Sequence, residues 1–167
     1  MNKPRWWPAY IGIGSNLESP AKQVAQAVNA LREMPGCLLI LESGLYRSAP
    51  MGPQDQPDFL NAVVSLITQL SAVELLQGLH DIEENQGRAR NTEQWGPRTV
   101  DLDLLAYGSQ ISNVAELMLP HPRIAERNFV LLPWNEITPH FHVPGLASVA
   151  DLAANVSRSE PRIERLD

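Results

Sequence analysis

The chain reads as an α+β fold: a mostly antiparallel sheet with helices packed on it. Three observations carry this. The elements run in the order strand, helix, strand, strand, helix, strand, which is the split βαβ pattern. The strands are short β-branched or aliphatic runs, and the two helical segments show apolar residues at a spacing of three and four. Glycine and proline punctuate the boundaries between them.

The first strand is AYIGIG, residues 9–14, closed by the small residues Gly14, Ser15 and Asn16, a GIGSN segment that reads as a tight bend. No Gly-Lys-Ser/Thr follows, so it is not a P-loop. Ser19 is placed to cap the next helix, with Pro20 in its first turn. Val24, Ala27, Val28 and Leu31 form the apolar face until Pro35–Gly36 stops it. Residues 38–46 read as a strand, and Pro50, Pro53 and Pro57 make the following stretch a loop. LNAVVSLIT, residues 60–68, returns to strand character, and Ser71 with Glu74 forms a capping box opening a helix that ends by Gly87. A polar loop leads to the strand RTVDLDLLAY, after which the Gly108–Ser109 turn predicts a short returning hairpin strand. Beyond Pro120 and Pro122 a helix is expected to carry Phe129, Leu131 and Leu132 on its inner side. A short helix near 148–154 and a charged, frayed tail complete the chain.

The 167 residues suit a single domain over 1–167, with 1–8 and 156–167 peripheral. No apolar run approaches the roughly 18 residues that cross a bilayer, and MNKPRWWPAY has no apolar stretch behind its basic residues, so a cytoplasmic location is expected. The lone Cys37 heads the apolar run LLIL and reads as a buried structural thiol. A net charge of −6 argues against nucleic-acid or membrane-surface binding, and any polyanion must meet a local basic patch.

In VDLDLL, side chains alternate between faces, so Asp101 and Asp103 share one while Val100, Leu102 and Leu104 share the other. Aspartate is a poor strand former, and two hard oxygen ligands held on a rigid strand describe a magnesium site that leaves positions for water and phosphate. The alternative is a solvent-facing strand with ordinary aspartates, and D-x-D alone also suits glycosyltransferases. Arg88, Arg90 and Arg98 gather positive charge in the loop before this strand, where Trp95, Gly96 and Pro97 also stand. Arginine's fork of donors suits phosphate, and such a loop reads either as a lid over a phosphoryl transfer or as a solvated charged loop. Asn61 is placed to read a heterocycle's edge, and Phe59 and Phe129 to stack on its ring, although each residue type is more often core. His121, between two prolines, and Arg127 are candidates to meet phosphate.

Taken together, YIGIGSNL, GPQDQPDFLNAVV, GRARNTEQWGPRTVDLDLL and LPHPRIAERNFVLLP resemble, in order and spacing, the 6-hydroxymethyl-7,8-dihydropterin pyrophosphokinase family of folate biosynthesis, over about residues 9–145. The resemblance implies a ferredoxin-like fold and transfer of diphosphate from ATP to the pterin alcohol. It implies that Asp101 and Asp103 bind two Mg2+ ions. It places His80, Glu83, Arg90, Trp95, Arg98, Leu104, His121 and Arg127 at the nucleotide, and makes Arg88 and Arg98 catalytic. For the pterin it implies Ser48, Ala49, Met51, Phe59, Asn61, Trp95 and Phe129. It also implies a monomer whose partners are small molecules, with no nucleic acid and no membrane. Against better-known bacterial members, His80 stands for a glutamine, Gln94 for a lid arginine, Glu116 for an arginine and Phe59 for a tyrosine. Two other readings stand beside it: a D-x-D nucleotidyl- or glycosyltransferase, and a binding module without activity.

Overall fold

The computed structural model describes residues 2–17, 19–87 and 99–166. Eight strands and four α-helices follow in chain order: β1 (Trp7–Ser15), α1 (Pro20–Arg32), β2 (Cys37–Glu42), β3 (Tyr46–Ser48), β4 (Phe59–Thr68), α2 (Ala72–Asn85), β5 (Asp101–Tyr107), β6 (Ser112–Val114), β7 (Leu117–Leu119), α3 (Asn128–Ile137), α4 (Val149–Val156) and β8 (Ile163–Arg165). The main sheet runs β5-β1-β4-β3-β8, with β2 also on β4, and its pairings are antiparallel as the element order requires.

The two faces of this sheet are covered differently. α1 and α2 bury Val24, Leu31, Leu75 and Leu79 against one face, on Ile11, Val64, Leu66, Leu102 and Leu104. On the other face, Tyr10, Val63 and Leu105 pack beneath Leu131 and Trp134 of α3 and Leu152 of α4. α3 and α4 cover only part of that face, and the remainder is the wall of the cavity described below. Among the described residues no helix is long and apolar enough to cross a membrane.

Several boundaries differ from expectation. The strand expected at 38–46 divides into β2 and β3, because the chain leaves the ladder at Ser43–Leu45 while the Ser43 hydroxyl accepts the Val63 N–H at 2.9 Å. The turn at Gly108 does not return a strand onto β5: β6 pairs with β7 in a separate two-stranded sheet. The tail is not frayed over its whole length, since β8 pairs with β3 and extends the main sheet. Trp7 lies in β1, with its ring 6.2 Å from that of Tyr107. Cys37 is buried as expected and sits 3.2 Å from the Thr68 hydroxyl.

The two expected helix caps behave differently. Ser71 and Glu74 close the capping box, with Glu74 N–H donating to Ser71 Oγ at 3.2 Å and Ser71 N–H to Glu74 Oε2 at 2.7 Å. Ser19 precedes α1 in the left-handed region, φ 63°, and its side chain makes no cap hydrogen bond. Ser71→Ala should therefore cost about 1 kcal/mol in a denaturant melt, whereas Ser19→Gly, which suits a positive φ, should cost nothing.

Candidate functional site

The site begins in the central strand. Along β1, Tyr10 packs beneath α3, but the next two residues on that face are Gly12 and Gly14, and both line an open cavity of about 340 Å³. Both are strand residues within the β1 ladder, as the strand expected over residues 9–14 requires; the bend expected of GIGSN does not form at them, because β1 runs on to Ser15. A Cβ at Gly12 would lie 3.4 Å from Leu105 Cδ2, and one at Gly14 would lie 3.4 Å from Asn61 Oδ1. Side chains here would fill the cavity floor.

Register places the functional residues around that floor. Gly14 pairs with Asp101 on one side and Asn61 on the other, and Gly12 pairs with Asp103. Directly paired residues share a face, so two carboxylates and an amide look into the same space across a strip without side chains. Asp101 and Asp103 are half-buried. Leu102 and Leu104 are nearly fully buried on the opposite face, and the pair thus stands on a strand anchored in the core.

The Asn61 amide is oriented by its neighbours. Its Nδ2 donates to Tyr46 O at 3.2 Å and to Ser48 Oγ at 2.8 Å. A carbonyl can only accept, so the amide nitrogen is turned into the protein and Oδ1 faces Gly14 and the cavity. The Ser48 oxygen accepts from Asn61, which leaves its own O–H to donate elsewhere. An acceptor and a hydroxyl therefore stand side by side at the cavity edge. Phe59 and Phe129 line the same cavity, with Ala49 and the exposed Met51 at its rim. The loop bearing Met51 is tied to the end of β1 by Asn16 Nδ2, which donates to Gln56 Oε1 at 2.9 Å and Pro57 O at 3.1 Å.

Cations and an imidazole close the carboxylate side. Arg127 Nη1 lies 3.7 Å from Asp103 Oδ2, and His121 Nε2 lies 3.9 Å from Asp103 Oδ1. Burial lowers the His121 pKa from its ordinary value; Asp103 pulls it back up, while Arg127 and Arg123 add to the lowering. In the ligand-free site His121 is a neutral hydrogen-bonding group at pH 7, its Nδ1 facing the Arg123 N–H at 3.5 Å.

Ten of the residues expected to act together thus line one cavity: Ser48, Ala49, Met51, Phe59, Asn61, Asp101, Asp103, His121, Arg127 and Phe129. Three expected at the nucleotide do not. Leu104 is buried in the core on the opposite face of β5, His80 is exposed on α2, and Glu83 is a buried residue of α2 outside the cavity wall. Arg88, Arg90, Trp95 and Arg98, with Gln94, lie outside the described residues. Sequence reasoning missed Gly12, Gly14 and Arg123 as lining residues. Glycine alternating with β-branched residues inside a strand was the available signal for the first two.

Known proteins share this sequence and this fold. The profile of the family described as 7,8-dihydro-6-hydroxymethylpterin-pyrophosphokinase (HPPK) matches residues 10–139. The chain belongs to that family. A Haemophilus influenzae HPPK, 2-amino-4-hydroxy-6-hydroxymethyldihydropteridine pyrophosphokinase, is 42% identical over 144 residues, covering 86% of this chain and 89% of the relative. The Pseudomonas aeruginosa HPPK of the same description is 41% identical over 145 residues, covering 87% and 89%. A solved structure of Plasmodium falciparum HPPK-DHPS with pteroate superposes with a TM-score of 0.76 at 12% identity, over 98% of this chain and 48% of that one. At that identity the likeness speaks for the fold, and this chain spans about half of that longer protein. The HPPK match ends at residue 139, before α4 and β8.

In metal-free buffer the His121 ring protons, followed by NMR, should titrate below the ordinary value of about 6.5. Asp103→Asn should lower the midpoint further, because the carboxylate's upward pull is lost while burial remains.

Proposed function

We propose that this chain transfers the terminal diphosphate of ATP to the hydroxymethyl oxygen of 6-hydroxymethyl-7,8-dihydropterin, giving AMP and the pterin diphosphate, a step in tetrahydrofolate biosynthesis. One observation carries the reading. A single cavity holds a carboxylate pair and an oriented amide, separated by a glycine floor. The amide side supplies an acceptor, a hydroxyl and two aromatic rings, which match the donor–acceptor edge and the flat faces of a pterin. The carboxylate side supplies hard oxygen donors with Arg127 and His121 beside them, which match phosphates and their metal.

Asp101 and Asp103 fit magnesium by their chemistry. The pair would hold magnesium through hard carboxylate oxygens and would leave positions for water and ATP oxygens, the pattern magnesium prefers. Two such ions, when bound, neutralise phosphate charge and raise the acidity of the attacking hydroxyl. The protein's own part is alignment. Asn61, Ser48, Phe59 and Phe129 hold the pterin so that its hydroxymethyl oxygen points across Gly14 toward the carboxylate side. That oxygen gives up its proton to water and bonds to the β-phosphorus as the bond from the β-phosphorus to the oxygen of the α-phosphate breaks, and AMP leaves. Arg127 meets the negative charge of the phosphates. Arg88, Arg90, Arg98 and Trp95, outside the described residues, bring the guanidinium donors and the ring that suit ATP phosphates and a flat heterocycle.

Incubation with ATP, Mg2+ and 6-hydroxymethyl-7,8-dihydropterin should yield AMP and pterin diphosphate in equal amounts. Release of pyrophosphate or of a nucleoside diphosphate would mean a different transfer; binding without product would mean a module without activity. Asp101→Ala and Asp103→Ala should each reduce AMP formation by roughly a hundredfold or more, and wild-type rates in either would remove the metal assignment. Arg88→Ala should lower kcat while pterin affinity stays at the wild-type value, since a guanidinium that meets the phosphates acts most strongly on the charge of the transition state; a loss confined to pterin binding would reverse that role.

A further inference from the structure

The two walls of the pterin half of the cavity come from different parts of the chain. α3 and its leading residue supply Arg127, Phe129 and Val130; β3 and the start of β4 supply Ser48, Phe59 and Asn61. Apolar packing of α3 on Tyr10 and Val63 brings the walls together, but such packing is non-directional and permits a helix to slide or tilt. Directional bonds come from Glu136 of α3, which meets Gly44 and Tyr46 directly, and from the C-terminal segment, which adds bonds at both ends of the helix.

That segment holds α3 at both ends. At the first residue of the helix, the buried Asn128 donates from Nδ2 to Ser159 O at 2.9 Å and to Pro161 O at 2.7 Å. In the last turn, Glu136 accepts Arg165 Nε at 2.6 Å. The same carboxylate accepts the Gly44 N–H at 2.6 Å and the Tyr46 hydroxyl at 3.4 Å, just before and within β3. The Arg165 guanidinium lies over Gly44, where a Cβ would come within 2.8 Å of Nη2. Burial pushes the Glu136 carboxyl up, but the bonds from Arg165 and Gly44 outweigh it and hold the pKa below the ordinary value.

β8 then continues along the other wall. Tyr46, Arg47 and Ser48 pair with Arg165, Glu164 and Ile163, and Leu166 N–H donates to Leu45 O at 2.8 Å. Ser48 is the residue that orients Asn61, and Phe129 is the neighbour of Asn128. The chain of bonds therefore runs from one jaw, through residues 159–166, to the other.

We propose that Ser159–Leu166 is a clasp that sets the distance and angle between the α3 wall and the β3–β4 wall, with Asn128 and Arg165 as positioning residues for the heterocycle. The assignment of the ligand rests on the pterin reading above; the mechanical coupling of the walls does not. Neither side chain lines the cavity, so the clasp acts through Phe129, Ser48 and Asn61. It leaves the carboxylates in place, since they stand on β5 at the opposite edge of the sheet, and reaches their side only through Arg127, the residue before Asn128.

The test uses the full chain with Arg165→Ala, Asn128→Ala and Arg165→Lys. Arg165 is exposed, so its removal opens no core. Arg165→Ala should raise KM for 6-hydroxymethyl-7,8-dihydropterin about fivefold, the effect of losing roughly one hydrogen bond's worth of alignment, while KM for ATP and kcat stay within about twofold. Asn128→Ala should shift the same constant further, and Arg165→Lys should recover part of the loss. Amide hydrogen exchange in the ligand-free proteins gives a second readout. Arg165→Ala should speed exchange at Arg47 and Ser48 together with Val130 and Leu131, leaving β5 protected. Unchanged exchange at either wall, faster exchange spread over the whole sheet, or equal weakening of ATP and pterin would overturn the clasp. A wild-type protein that forms no AMP from the pterin would instead overturn the ligand reading, and the exchange data would still decide the clasp.

Discussion

The site depends on a constraint in the central strand: β1 must pair on both edges while presenting no side chains to one part of one face. Gly12 and Gly14 meet it. Glycine weakens a strand, since it supplies no side chain to pack and loses the most backbone freedom on folding. The cost is met by burying Ala9, Ile11 and Ile13 on the opposite face, and by ladders to β4 and β5 along both edges. What the glycines secure is space. Asp101 and Asn61 are both register partners of Gly14, so they stand about 10 Å apart at Cα, two inter-strand spacings, with nothing rising between them.

That geometry explains how an acidic protein offers a site for a polyanion. The chain carries a formal charge of −6, yet Arg127 turns toward the carboxylates in a half-buried setting where charge interactions are screened less than at the open surface, and Arg123, paired with Glu126, lines the same cavity. Arg127 lies in the bend between the 3₁₀ turn Ile124–Glu126 and α3, with its guanidinium 3.7 Å from Asp103 and 5.8 Å from the Phe129 ring. One residue thus touches both halves of the cavity, the anionic side that a metal would neutralise and the aromatic side that would hold a ring.

The layers divide the work. α1 and α2 bury the side of the sheet that has no part in the cavity, and they make the platform stiff. α3 and α4 cover the other side incompletely, and that incompleteness is the cavity. The C-terminal segment then does what apolar packing cannot. Together with the direct Gly44–Glu136 bond, it ties both ends of α3 to the β3 side of the sheet, so an opening left by partial coverage keeps a defined width.

Much of this was legible in the sequence because it follows from local period. Alternation placed Asp101 and Asp103 on one face and Leu102 and Leu104 on the other. Helical spacing found the buried stripes of α1 and α2, and Ser71 with Glu74 announced a cap that forms as written. Local period is silent about which strands become neighbours, and that is where expectation and structure part. GIGSN reads as a bend until β4 and β5 are known to flank it. Ser19 looks like a cap until its backbone proves left-handed. The charged tail looks frayed until Glu136, distant in sequence, supplies the carboxylate that Arg165 meets. Leu104 is set at the nucleotide only by the family resemblance, and the structure keeps it on the core face that alternation already assigns to it. The order of elements, the faces of each strand and the shared face of the two carboxylates were legible because these depend on neighbours along the chain. Only the tertiary structure decided that Gly14 separates Asp101 from Asn61 and that the last strand braces the aromatic wall, since register and sheet order are set by contacts between segments far apart in the chain.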